Sequence, residues 1–167
     1  FEGSLFGQKR FDLPFANPWY AAVTLTDTEL LNDSRSTDEE SIFAGGVKGN
    51  KVPYIPDLAL NIGTGIETGK FGLYLNGAYM DEMFTSASNT TTLVDGDGTP
   101  DSRFGKTDSY FLLDISARYK ASEAVTIFAG VQNAFDDKYI VTRHPHGART
   151  GQPLFAYVGM EIGLGGE

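Results

Sequence analysis

Four side chains that can bind an anion or a metal ion fall within one short polar stretch, residues 139–153. They are Arg143, His144, His146 and Arg149. An Arg guanidinium offers a carboxylate two parallel hydrogen bonds from one planar fork. In a chain whose formal net charge is −9 at pH 7, this local excess of basic side chains suits a carboxylate-bearing ligand. The favoured interpretation is structural, with Arg143 and Arg149 bracing the loop against neighbouring carboxylates or phosphates, and the ligand site is the alternative.

The two histidines are also candidate metal ligands. His144 and His146 are two residues apart, so in an extended segment both side chains point to the same side. Imidazole suits several transition metals. Two ligands without a third nearby are weak support for such a site.

A second candidate metal site is the segment from Asp95 to Asp101, which reads DGDGTPD. Carboxylates at its first, third and seventh positions (Asp95, Asp97 and Asp101) are hard oxygen ligands of the kind that Ca²⁺ prefers. The segment departs from an EF-hand loop, because Thr99 and Pro100 replace a ligand and the required Gly, and Lys106 replaces the closing Glu. A solvated turn is the favoured interpretation, with calcium as the alternative.

Catalytic motifs are missing from the sequence. It contains no G-x-S-x-G, no H-E-x-x-H and no cysteine nucleophile. We therefore predict that the chain is not an enzyme, has no catalytic residue and needs no cofactor. The net charge of −9 also excludes a nucleic-acid partner, since phosphates attract basic surfaces.

The elements that must position these residues are β-strands. Apolar and polar or small residues alternate with a period of two over seven segments, namely 1–11, 19–26, 58–67, 71–79, 111–119, 125–132 and 154–164. No run of 18 apolar residues occurs, which excludes a membrane-spanning helix but leaves spanning strands open. The fold class predicted is all-β and antiparallel.

The connections alternate in length. Short links at 12–18, 68–70 and 121–124 alternate with long polar ones at 32–56, 85–106 and 136–153. Transmembrane β-barrels have short turns on one side and long loops on the other. Aromatic residues near the strand ends, such as Trp19, Tyr79 and Tyr119, match the girdles of such barrels, although a soluble sandwich core is also rich in aromatics.

The segment from Asn133 to Tyr139 reads NAFDDKY, which resembles the N-L-F-D-x-x-Y signature near the C-terminus of TonB-dependent outer-membrane receptors. The stretch from Thr142 to Pro153 resembles the S-R-x-P-x-G-A-R-P-G-x-P stretch of the ferric-citrate receptor branch. VPYIP at 52–56 and TLTDTEL at 24–30 also resemble that branch. The motif residues that match are Asn133, Phe135, Asp136, Tyr139, Gly147, Ala148, Arg149 and Gly151.

This resemblance implies that residues 1–167 are the C-terminal seven strands of a barrel of about 22 strands. The plug domain and TonB box would lie outside the sequence. The implied function is active import of a ferric siderophore or ferric-citrate-like chelate across the outer membrane of a Gram-negative bacterium. Implied partners are the TonB–ExbB–ExbD complex, outer-membrane lipid and lipopolysaccharide. Charged strand residues, including Glu67, Asp114 and Arg118, would face the lumen and pair with one another or with the plug.

Some positions depart from the pattern. Ala134, Thr150 and Leu154 replace the usual Leu, Pro and Arg, and the chain ends in Glu167 where such barrels usually end in an aromatic residue. We expect either that the true end is absent or that assembly uses a weaker signal. Two other classes stay open: a passive porin-type barrel, and a soluble β-sandwich that binds glycans.

Overall fold

The computed structural model describes residues 2–9, 14–36, 38, 40–95 and 97–163. Seven antiparallel strands form one sheet in the order β1-β2-β3-β4-β5-β6-β9, and two short strands form a separate hairpin, β7-β8. The strands are β1 (Glu2–Lys9), β2 (Asn17–Leu25), β3 (Leu58–Glu67), β4 (Phe71–Met80), β5 (Tyr110–Lys120), β6 (Val125–Gln132), β7 (Ile140–Thr142), β8 (Arg149–Thr150) and β9 (Phe155–Ile162).

The predicted all-β antiparallel fold is confirmed, and each of the seven predicted strands has a counterpart in the sheet. The predicted bounds of β3 and β6 agree with the structure. The ends of two predicted strands, at Phe1, Arg10, Phe11 and Leu164, lie outside the described residues. Strands β7 and β8, of three and two residues, lie inside the predicted loop 136–153 and were not predicted.

Short turns join the strands at one end of the sheet. In the β3–β4 turn, the Thr68 hydroxyl oxygen accepts hydrogen bonds from the backbone N–H of Phe71 at 2.9 Å and of Lys70 at 3.3 Å. The β5–β6 turn is closed by a hydrogen bond of 2.9 Å from the N–H of Ala121 to the carbonyl of Val125. The three long connections, 26–57, 81–109 and 133–154, all leave the opposite end of the sheet. The predicted alternation of short and long links is therefore confirmed.

The two faces of the sheet differ in chemistry. The strand register places Val23, Leu60, Ile115, Val131 and Val158 on one face, which is apolar. Many large side chains of this face are exposed, with Val158 at 77% and Met160 at 58%. An apolar surface that is continuous over several strands needs a cover of lipid or protein.

The opposite face is polar. Its side chains include Glu67, Tyr74 and Arg118, which the register places next to one another on β3, β4 and β5. The Tyr74 hydroxyl accepts a hydrogen bond of 3.1 Å from Nε of Arg118 and donates one to the Glu67 carboxylate. Nη2 of Arg118 lies 3.9 Å from Glu67. The predicted pairing between charged strand residues is thus present for Glu67 and Arg118.

No helix among the residues that the structure covers has the length and the apolar character needed to cross a membrane.

Candidate functional site

The most buried residues of the described chain lie in the long loops, beyond the strand ends. Thr85, Ala87 and Thr107 are fully buried, and Ser86 is 2% exposed. These small side chains let the three long connections pack closely against one another. We call the three packed connections the loop layer.

Side-chain amides join the first two connections of the loop layer. Nδ2 of Asn50 donates to the Ala87 carbonyl at 2.8 Å. The Asn89 amide bonds Lys51 twice, accepting from its N–H at 2.6 Å and donating to its carbonyl at 3.0 Å. The Ala87 N–H also donates to the Ile42 carbonyl at 2.7 Å. The segment 86–89 is therefore fixed against 42–51.

Arg143 joins the third connection to the second. Its side chain is buried, at 9% exposure. Nε donates to the Lys106 carbonyl at 2.9 Å, and Nη1 donates to the Ser102 carbonyl at 3.2 Å. A buried guanidinium needs such partners. Arg143 thus braces the loop, although its acceptors are backbone carbonyls and not the carboxylates or phosphates that we considered from the sequence.

His144 lies against the Tyr54 hydroxyl. Nδ1 of His144 is 3.2 Å from this oxygen, which also accepts the backbone N–H of Arg143 at 3.1 Å and of His144 at 3.2 Å. The rings of Tyr54 and Phe104 both meet the imidazole edge-on. Burial lowers the pKa of His144, and the nearby Arg103 lowers it further, while Asp101 acts in the opposite direction.

The other two residues of the predicted basic cluster, His146 and Arg149, are exposed. The structure therefore divides the four predicted ligand-binding residues into an inner pair, Arg143 and His144, and an outer pair. Among the described residues, no three His, Asp or Glu side chains form a group that could hold a metal ion. The metal hypothesis for His144 and His146 stays a prediction.

The three aspartates of the predicted calcium loop have different roles. Oδ1 of Asp95 accepts the N–H of Asp97 at 2.9 Å and of Thr99 at 2.8 Å, which closes a turn. Asp101 forms an ion pair with Arg103, whose Nη2 lies 2.7 Å from Oδ2. Hydrogen bonds from Arg103 hold the pKa of Asp101 below its usual value. The geometry fits the turn that the sequence favours, and calcium binding at Asp95, Asp97 and Asp101 stays a prediction.

A cavity of about 430 Å³ with a mixed polar and apolar lining opens between the first two connections of the loop layer. We call it the loop cavity. Residues from the β2–β3 connection form one side and residues from the β4–β5 connection form the other. Its lining consists of Ala44, Gly45, Ser88, Thr90, Val94, Asp95, Asp97, Arg103 and Phe104.

The signature segment that begins at Asn133 has a structural role. Asn133 is 2% exposed and its φ is 48°, a conformation that Asn tolerates better than most residues. Its Nδ2 donates to the carbonyls of Asp137 at 2.9 Å and Gln152 at 3.0 Å, while its Oδ1 accepts the N–H of Asp137 at 2.9 Å. The backbone N–H of Asn133 donates to Asp114 at 2.9 Å. One side chain therefore ties both ends of the β6–β9 connection.

Other signature residues complete this connection. Oδ1 of Asp136 accepts the N–H of Leu154 at 3.1 Å. Tyr139 is 9% exposed and its ring lies 4.2 Å from that of Tyr110. Gly151 lies directly against the Tyr139 ring, so that no Cβ would fit there. Gly147 has a φ of 103°, which L side chains rarely adopt.

The remaining signature positions are exposed. Phe135 is 65% exposed, with its ring 6.3 Å from that of Phe111. Ala148 and Arg149 are also exposed. Together with the exposed Asp136, they are accessible to a ligand or to a neighbouring molecule.

Sequence reasoning missed Tyr54, Asn50 and Asn89 as organisers of the loop layer. The φ angles of Tyr54 and Asn89 are 59° and 53°, and no sequence signal predicts this for a tyrosine. The positions of Tyr54 inside VPYIP and of Asn89 after TSAS were the available hints, because small polar residues and prolines mark loops with fixed turns.

Comparison with known proteins decides the family. Residues 1–134 match the family described as TonB dependent receptor-like, beta-barrel. The chain belongs to this family of transport receptors. The resemblance inferred from the sequence is thus confirmed, over a match that includes the segments 24–30 and 52–56 and the first two residues of the Asn133 signature.

Solved structures of a siderophore receptor and a ferric citrate transporter share the fold. The siderophore receptor PiuA from Acinetobacter baumannii aligns with a TM-score of 0.69 over 96% of this chain and 21% of its own, at 17% identity. The unliganded ferric citrate transporter FecA aligns with a TM-score of 0.62 over 89% of this chain and 21% of its own, at 20% identity. The chain thus corresponds to about a fifth of either receptor.

A curated relative matches part of the chain in sequence. The vitamin B12 transporter BtuB of Vibrio vulnificus (strain YJ016) is 54% identical over 46 residues, which are 27% of this chain and 7% of that protein. This match is local.

Proposed function

We propose that this chain is the C-terminal part of an outer-membrane receptor that imports a ferric siderophore or a ferric-citrate-like chelate, with energy supplied through TonB. The observation that carries the proposal is the two-faced sheet with an ordered loop layer at one end only. Lipid would cover the apolar face, and the loop layer would face the outside, where the ligand arrives. The proposed location is the outer membrane of a Gram-negative bacterium.

The ordered loop layer supports active uptake and not passive diffusion. Buried Thr85 and Thr107, the Asn89 amide and the Arg143 guanidinium fix these loops in one arrangement. Ordered walls reduce the entropy that a ligand must offset on binding. A diffusion pore needs no such preorganised surface, whereas a receptor for a scarce nutrient does.

The experiment is an uptake assay on the full-length receptor. It is expressed in cells that lack their own ferric chelate receptors, with and without functional TonB, and entry of radioactive iron is followed for ferric citrate and for ferric trihydroxamate and tricatecholate complexes. We expect saturable uptake of at least one chelate that disappears without TonB. Uptake that is non-saturable and independent of TonB would show a passive barrel.

The BtuB match favours a second candidate substrate, vitamin B12. It is tested in the same cells with labelled cyanocobalamin. TonB-dependent uptake of cyanocobalamin and of none of the ferric chelates would replace the iron proposal by a corrinoid one.

A further inference from the structure

The loop cavity has the size and the mixed lining of a small-molecule site. Its volume of about 430 Å³ lies within the range of about 300–1,000 Å³ that is usual for ligand pockets. Phe104 and Val94 provide apolar surface, and the hydroxyls of Ser88 and Thr90 provide hydrogen-bonding groups. Such a lining suits an organic ligand that combines an apolar skeleton with polar substituents.

The charges of the lining are unequal. Asp95 and Asp97 contribute two carboxylates and Arg103 one guanidinium. The Arg103 charge is already matched by Asp101, which receives hydrogen bonds from Nε at 2.9 Å and Nη2 at 2.7 Å. Asp101 is not part of the lining. The effective charge at the cavity is therefore negative.

Asp97 is the lining carboxylate best placed to meet a ligand. Its side chain is exposed, and within residues 2–9, 14–36, 38, 40–95 and 97–163 the structure shows no hydrogen bond to its carboxylate. Asp95, in contrast, uses Oδ1 to hold the turn. A cationic or hydrogen-bond-donating group in the cavity would find Asp97 available.

The surrounding loops add to this negative field. Residues 26–57 contain seven acidic and three basic side chains, and residues 81–109 contain six acidic and two basic ones. The summed charge of a surface attracts or repels a ligand before contact. Of the two arginines that the sequence offered to an anion, Arg143 is buried and bonded to backbone carbonyls, and the exposed Arg149 does not line the cavity. The acidic excess of the loops and the burial of Arg143 disfavour an anionic ligand at this part of the receptor.

The walls of the cavity are fixed before any ligand arrives. The single proton of the Thr85 hydroxyl is shared between the carbonyls of Arg103 and Gly105, both at 3.0 Å from Oγ1. Phe104 rests against the imidazole of His144, with ring centroids 6.3 Å apart. The segment 86–89, which includes Ser88, is held by hydrogen bonds from the side-chain amides of Asn50 and Asn89. A preorganised cavity can discriminate between ligands by charge, because its groups do not move to compensate.

We infer that the loop cavity binds the part of the imported chelate that carries amine, amide or hydroxyl donors and no negative charge. This inference rests on the proposed function and narrows its substrate class to neutral or cationic chelates.

The test uses the full-length receptor and two probes that share one ferric core and carry terminal groups of opposite charge. One is the ferric complex of a linear trihydroxamate with a terminal ammonium group, and the other is the same complex after the amine has been succinylated. Dissociation constants are measured by fluorescence quenching. We expect the ammonium probe to bind about tenfold more tightly than the succinylated probe.

Two variants locate the effect. Asp97→Asn should weaken binding of the ammonium probe about threefold and leave the succinylated probe nearly unchanged. Asp108→Asn makes the same charge change in the same connection at an exposed residue outside the cavity, and it should preserve the ratio between the probes. Raising the salt concentration should reduce that ratio, because exposed charges are screened.

The outcomes separate the inference from the proposed function. Any of three results overturns the inference and leaves chelate import standing. They are equal binding of the two probes, a preference for the succinylated probe or for ferric citrate, and no effect of Asp97→Asn. Calcium that binds alone and blocks both probes equally also overturns it, since the cavity would then be a cation site. Binding of no chelate at all overturns the proposed function and the inference with it.

Discussion

The Tyr54 hydroxyl lies 3.2 Å from Nδ1 of His144, although 90 residues separate the two in sequence. The same oxygen accepts the backbone N–H groups of Arg143 and His144. A hydroxyl has two lone pairs and one proton. The Thr142 hydroxyl lies 3.2 Å from the same oxygen, so the Tyr54 proton can be donated to Thr142 Oγ1 or to Nδ1 of His144. Nδ1 accepts it only in a neutral imidazole protonated at Nε2.

This relationship predicts that acid loosens the loop layer. The pKa of His144 is lowered from the usual 6.5, first by burial and then by Arg103, against the opposing effect of Asp101. Between the lowered value and 6.5 the unfolded loop binds more protons than the folded loop, so stability rises with pH. The contribution of neutral His144 to the stability of the loop is complete above about pH 6.5 and is lost as the pH falls through the lowered pKa.

The measurement is hydrogen exchange of the full-length receptor at about pH 5 and about pH 8, corrected for intrinsic rates. Peptides that cover 139–147 should lose protection at the lower pH. His144→Gln should make their protection independent of pH, while His146→Gln, at an exposed position, should keep the dependence. Equal protection of the unsubstituted receptor at both values would contradict the role of His144.

Arg143 is expected to act through loop order. Arg143→Ala leaves the carbonyls of Lys106 and Ser102 without their donors, at a local cost of about 1–3 kcal/mol. The β4–β5 connection should then be cut faster in limited proteolysis of the full-length receptor. Arg149→Ala removes an exposed guanidinium from the same connection as Arg143 and should leave the cleavage rate unchanged.

A direct ligand contact by Arg143 would give a different pattern. The cleavage rate would stay the same while chelate affinity falls. The two roles are thus separated by measuring proteolysis and affinity on the same variant.

The strands were predictable because their signal is local. Alternation defined β3 and β6 to the residue, and the lengths of the links gave the sidedness. The hairpin of β7 and β8 was missed, since strands of three and two residues are too short to show a period. Their pairing depends on Tyr139 and Gly151, whose contact is not visible as a pattern.

The loop layer was not predictable from composition. Its contacts join side chains to backbone carbonyls of other connections, as for Arg143 and Ser102, 41 residues apart. The sequence identified Arg143 as a residue that braces the loop or binds a ligand, but it gave the wrong bracing partners, because backbone carbonyls of another connection leave no signal in the sequence. Burial of Arg143 depends on the carbonyls of Ser102 and Lys106, which only the fold brings to its guanidinium.

Asn133 should be the most sensitive position of the signature. Asn133→Ala removes three side-chain hydrogen bonds and places Ala at a φ of 48°. We expect the free energy of unfolding to fall by about 2–4 kcal/mol, measured on the full-length receptor by urea titration. Asn32→Ala, at an exposed loop position, serves as the control and should have little effect. A loss of stability for Asn133→Ala as small as for Asn32→Ala would show that the signature does not serve to stabilise the fold.

A charge on the apolar face should destabilise the protein if lipid covers that face. Val158 lies in the middle of β9 and is 77% exposed. Val158→Arg should cost about 2–4 kcal/mol near the membrane midplane, measured as the free energy of unfolding in lipid vesicles. Ser116→Arg, on the polar face that already carries Arg118, should cost less. Equal costs would contradict the assigned faces.

The most direct test of a membrane-spanning wall is the accessibility of alternate residues on β9. The chain has no cysteine, so spin labels can be attached at Tyr157→Cys, Val158→Cys and Met160→Cys in a full-length receptor that carries no other cysteine and is reconstituted in lipid. We predict that labels at 158 and 160 collide mainly with oxygen dissolved in the bilayer, whereas the label at 157 does not. Equal oxygen accessibility at all three positions, or high accessibility to a water-soluble nickel complex at 158 and 160, would contradict the account.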